Sequence, residues 1–127
     1  MLKRVKIFLV VLLVVFAMPC FAFNGAELSK AMNDAAYAGE YLNLIMHPGM
    51  PKPWTNPMYS EMNQKLGNAW KIISKEVSSI ESQKEIESCR AIIETFKMGH
   101  GTYRDLGFQV EISLNDRIKF LQGHGQL

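Results

Sequence analysis

The sequence predicts an all-α protein: an irregular bundle of three long helices plus a short C-terminal helix, preceded by a signal peptide. Three observations carry this. Apolar residues recur at spacings of three and four along most of the chain after residue 24. Two capping-box patterns, Asn24…Glu27 and Ser82…Glu85, stand at the heads of such stripes. A single proline-rich stretch, residues 47–57, separates the first two stripes.

The opening segment stands apart from the bundle. Lys3, Arg4 and Lys6 precede an uncharged apolar run from Ile7 to Met18, the arrangement of a secretory signal. Pro19 ends any helix there, because it has no N–H to donate and clashes with the preceding turn. Cys20 and Ala22 then occupy positions −3 and −1 of a cut before Phe23, and Pro19 is the wrong residue ahead of Cys20 for lipid attachment. Residues 1–22 are therefore expected to be a cleaved signal peptide, and residues 23–127 one helical domain, periplasmic or secreted. If the segment were retained instead, it would be an anchor and the chain's only membrane contact.

Removing residues 1–22 turns the net charge of +2 into −1, with 11 Lys/Arg against 12 Asp/Glu, and leaves no concentrated basic face for nucleic acid. None of the seven asparagines begins an Asn-x-Ser/Thr site, which suits a bacterial envelope protein. Cys89 is the one cysteine of the domain. It reads as a small buried hydrophobe or, alternatively, as the site of an intermolecular disulfide in a homodimer.

The first helix is expected from Gly25 to Met46, capped by Asn24 and carrying Leu28, Met32, Ala35, Gly39, Leu42 and Met46 on one face. Pro48 ends it, since a residue before proline avoids the helical conformation. Residues 47–57 (HPGMPKPWTNP) read as an ordered crossover with polyproline character. As a plain strap it would lay Trp54 over the end of the bundle.

Asn56-Pro57 predicts the start of a second helix, running to Ser79 with Met58, Met62, Leu66, Trp70, Ile73, Val77 and Ile80 as its stripe. That phase would put Lys84 and Glu87 in the core, so a break is expected near 79–82. A third helix then carries Ile86, Cys89, Ile93 and Phe96. Trp70 and Phe96 are expected at the centre. The last quarter is harder. Thr102–Leu106 suits a helical turn, while Phe108, Val110 and Ile112 alternate like a strand that would have no partner. Asn115-Asp116 suits the cap of a short final helix through Leu121.

The chain has no Gly-rich phosphate loop, no Cys-x-x-Cys and no His-Glu-x-x-His, and its three histidines are not one helical turn apart. No catalytic residue, resident metal or cofactor is expected, and the chain is not read as an enzyme. A small hydrolase or lyase remains a distant alternative with no residue to name. The leading expectation is a non-enzymatic protein that binds another envelope or secreted protein, as an immunity or inhibitor protein or a secretion or conjugation accessory. Its contact residues would be Trp54 and His47 from the crossover beside His100, Tyr103 and Arg104, because aromatic and Arg anchors concentrate interface energy. The alternative is a periplasmic soft-metal or haem binder using Met46, His47, Met50, Met98 and His100, whose thioether sulfurs suit Cu(I).

Overall fold

The computed structural model describes residues 22–127. The signal segment therefore lies, apart from Ala22, outside the described residues. Four α-helices follow: α1 (Gly25–Ile45), α2 (Tyr59–Ser78), α3 (Gln83–Lys97) and α4 (Thr102–Gly123), with one 3₁₀ turn at Pro53–Thr55 and no strand among the described residues. None of these helices is long and apolar enough to cross a membrane.

Local chemistry sets most of the boundaries. Asn24 caps α1 by accepting a hydrogen bond from the amide of Glu27 at 3.2 Å, and Ser82 does the same for α3 through the amide of Glu85. Each thereby satisfies one of the donors that a helix N-terminus leaves without an intrahelical partner. The second helix starts two residues later than Pro57. Asn56 Oδ1 accepts from the amide of Met58 at 2.9 Å, and the Asn56 carbonyl accepts from Tyr59. Pro57 and Met58 are thus held in a turn of their own, and the helix begins behind it.

The last quarter requires a correction. It is not a short C-terminal helix after an irregular stretch but a single helix of 22 residues, the longest described. Its buried stripe is Leu106, Gly107, Val110, Leu114 and Leu121, with Tyr103 and Ile118 partly buried on the same face. Of the strand-like alternation only Val110 is buried, and Phe108 and Ile112 face solvent. Gly107 stands where a breaker would be expected. A Cβ there would lie 3.0 Å from the Lys97 backbone nitrogen and 3.2 Å from the Ile93 carbonyl oxygen. Glycine is what lets α3 and α4 approach so closely.

α1 and α4 each pack against all three other helices, while α2 and α3 meet mainly through them. The main core is built from Leu28, Met32, Ile73, Ile80, Ile86, Ile93 and Leu114, all essentially inaccessible. Phe96 belongs to this core, whereas Trp70 is only partly buried at its edge and not at the centre. A second, smaller cluster (Ala38, Leu42, Ile45 and Met62, with Tyr41, Met58, Tyr59 and Leu66 against it) draws on α1, α2 and the residues just before α2. The α3–α4 turn meets α1 lower down, where Thr102 Cγ2 approaches Gly39. From Gly39 to Ile45 is roughly 9 Å of helix at 1.5 Å per residue. The α1–α2 hairpin therefore overhangs the α3–α4 turn, and the crossover forms its tip.

Candidate functional site

The tip is tied down by short-range hydrogen bonds. His47-Pro48-Gly49-Met50 is a tight turn closed by a 3.1 Å bond from the Met50 amide to the His47 carbonyl. Gly49 sits at φ +93, a conformation open to glycine at no steric cost. Five residues on, Thr55 donates from both its amide (2.9 Å) and its hydroxyl (2.6 Å) to the Lys52 carbonyl. The Asn56 amide reaches the Pro53 carbonyl at 3.0 Å, and the Tyr41 hydroxyl meets Asn56 Oδ1 at 3.5 Å, linking the crossover back to α1.

Trp54 lies inside this ordered 3₁₀ turn and points away from the bundle, 67 % exposed. It does not cover the bundle end. Its contact with a charged group is Lys52, whose Nζ is 5.5 Å from the ring centroid. Leu44, Met46 and Met50 are also more than half exposed, so the tip carries four large apolar side chains in water. Scattered exposed apolar residues are ordinary on a protein surface; several at one hairpin tip are not.

The other expected contact residues lie lower on the molecule. His100 is exposed in the α3–α4 turn, ahead of Gly101, which takes φ +58 as the N-cap of α4. His100 lines an open groove of about 450 Å³ between that turn and α1, together with Asn33, Glu40, Thr95 and Tyr103. The Tyr103 ring stacks on Phe96 with centroids 6.2 Å apart, so much of it belongs to the packing of α4 on α3. Arg104 is exposed, its guanidinium 5.8 Å from the Phe108 ring. Lys97 covers the same ring at 4.7 Å and pairs with Glu111 at 2.8 Å and Glu94 at 3.2 Å. The two carboxylates hold the Lys97 ammonium pKa above its ordinary value, the hydrogen bond to Glu111 contributing most. The crossover and the His100 turn share one end of the molecule but sit at different heights on α1.

The methionine–histidine set divides in the same way. Met46, His47 and Met50 share the turn after α1, with His47 Nδ1 already 2.9 Å from the Pro48 carbonyl oxygen. Met98 and His100 belong to the lower turn. Among the described residues no group of three or more His, Cys, Asp or Glu is placed to hold a metal ion.

Cys89 is fully buried on α3 within the main core. Desolvation raises its thiol pKa to about 12, because burial penalises the thiolate. A disulfide to a second chain through Cys89 would require α3 to unpack first.

One buried carboxylate escaped the reading of the sequence. Glu76 on α2 is 6 % exposed, and its Oε1 accepts from the Asn24 amide at 2.9 Å. The signal was its place among Ile73, Val77 and Ile80 on the apolar stripe, where a charged residue needs a polar partner.

No family model, curated protein or solved structure matches this chain.

Proposed function

We propose that the chain is a small exported helical protein that binds another protein of the cell envelope without catalysing a reaction. An inhibitor or immunity protein, or an accessory subunit of a secretion or conjugation machine, fits this description. The observation that supports the reading most is Trp54, exposed at the apolar tip of an overhanging hairpin on a backbone turn closed by the hydrogen bonds of Thr55 and Asn56. A large aromatic side chain with two rotatable bonds on an already ordered backbone loses little conformational entropy on docking, and this is the character of a binding hot spot. Leu44, Met46 and Met50 supply an apolar surround, and Lys52 a charged rim.

The test is affinity capture of the tagged full-length protein from its native envelope, repeated with Trp54→Ala. A stoichiometric protein partner whose affinity falls by more than about 1 kcal/mol in the variant, with little change in melting temperature, supports the proposal. A partner held equally well by the variant moves the contact away from the tip. A bait that comes down alone with copper or haem bound would replace the proposal with the ligand-binding alternative.

A further inference from the structure

The bond between Ala22 and Phe23 lies beside two carboxylates. Glu85 has one oxygen engaged locally: Oε1 accepts from the Ser82 hydroxyl at 3.0 Å and the Glu81 amide at 3.1 Å. Its Oε2 accepts from the Phe23 amide nitrogen at 3.3 Å. One residue on, the buried Glu76 takes the Asn24 amide. Helices α2 and α3 thus each place a carboxylate on the first residues of the domain, and Glu27 and Lys75 line the groove next to them. Ala22 is exposed, whereas the Phe23 ring packs against the main core.

We propose that hydrolysis of the Ala22–Phe23 bond makes the Phe23 nitrogen an ammonium that Glu85 and Glu76 hold, so that processing itself completes the fold. This rests on the reading that residues 1–22 are a signal removed on export. In the step a water molecule is consumed and the C–N bond breaks. The hydroxyl goes to Ala22, which leaves as a carboxylate, and the nitrogen of Phe23 gains the protons of a primary ammonium. A neutral amide with one donor becomes a cation with three, at a position where its own side-chain acceptor is Glu85 and that of the next amide is Glu76. Hydrogen bonds to charged groups contribute more than neutral ones, and a buried carboxylate such as Glu76 gains most from a nearby positive charge. The packed Phe23 ring fixes the nitrogen in place, so little ordering entropy opposes the pair.

The test uses the protein purified from cells that export the full chain. Intact mass first establishes the N-terminus. Urea unfolding near pH 6.5 is then compared for the wild type, Glu85→Gln, and each of the two with its α-amine selectively acetylated. Glutamine keeps one acceptor oxygen for the cap and replaces the carboxylate oxygen that faces Phe23 with an uncharged donor. The expected result is a mass lacking residues 1–22, with each single change lowering the folding equilibrium constant roughly fivefold to tenfold and the two together costing no more than one. Acetylation needs no substitution, so it reads the ion pair even if the variant folds poorly. Losses below about twofold, or fully additive ones, would overturn the ion pair while leaving the export reading intact. A mass that retains residues 1–22, or begins elsewhere, would remove the export reading and this proposal with it.

Discussion

The same substitution, glycine to alanine in a helix interior, should have opposite signs at Gly67 and Gly107. Alanine gains about 1 kcal/mol over glycine from helix propensity alone. At Gly67 on α2 a Cβ would meet nothing within 4 Å, so that gain is expected nearly whole. At Gly107 the new Cβ would lie 2.8 Å from Lys97 Cγ, 3.0 Å from the Lys97 nitrogen and 3.2 Å from the Ile93 carbonyl oxygen. The Lys97 side chain can swing aside, at the expense of its pairing with Glu111, but the backbone of α3 can yield only by moving a packed helix. Overpacking of this kind costs about 1–3 kcal/mol, which outweighs the propensity gain at most of that range. Gly107→Ala should therefore destabilise by up to about 2 kcal/mol and Gly67→Ala stabilise by roughly 0.5–1 kcal/mol. In a domain of this size that is a fall and a rise of several degrees in melting temperature. Reversible thermal or urea unfolding of both variants reads the difference. If Gly107→Ala stabilised as much as Gly67→Ala, the close crossing of α3 and α4 would be wrong, and with it the placement of the His100 turn.

Two further predictions concern single side chains. Cys89 has a thiol pKa raised to about 12, against an ordinary value of 9.0, so the unfolded chain ionises first. Its contribution is complete below about pH 9 and is lost as the pH climbs towards 12; at pH 10 the wild type should have lost about 1.4 kcal/mol that Cys89→Ala does not lose. The native thiol should likewise resist a thiol reagent until urea unfolds the domain, and rapid labelling of native protein would refute its burial. Ser82→Ala removes the acceptor for the Glu85 amide and should cost about 1 kcal/mol in urea unfolding. No measurable loss would mean that the α3 cap is made by water instead.

What could be read from the sequence and what could not divides along the range of the interactions. The caps at Asn24 and Ser82 involve partners three residues away, so their signatures are complete in a few letters. The first three helices follow from stripes whose neighbours are also apolar. α4 was obscured because its stripe passes through Gly107, which reads locally as a breaker. The reason for a glycine there is the α3 backbone, ten and more residues away. The candidate site shows the same division. The sequence marks Trp54, His47, His100, Tyr103 and Arg104 as distinctive, but their relative heights depend on how far the α1–α2 hairpin projects beyond Thr102. That is set by the packing of α4 on Gly39.

Glu76 brings the two ranges together. In the sequence it is a carboxylate on an apolar stripe, a local conflict that its own helix does not resolve. In the structure its partner is the Asn24 amide, 52 residues away, and the neighbouring amide belongs to Glu85. A buried carboxylate gives up much of its hydration, and the amide of Asn24 returns one hydrogen bond. A positive charge one residue away would change that balance, and the chain can supply one without a further residue by ending at Phe23. If the chain starts at Phe23, as proposed, the carboxylates on the stripe and at the α3 cap would face the new ammonium through the same contacts that now hold the Phe23 and Asn24 amides. This connects the export reading of the first 22 residues to the core of the bundle through atoms that a stability measurement can reach.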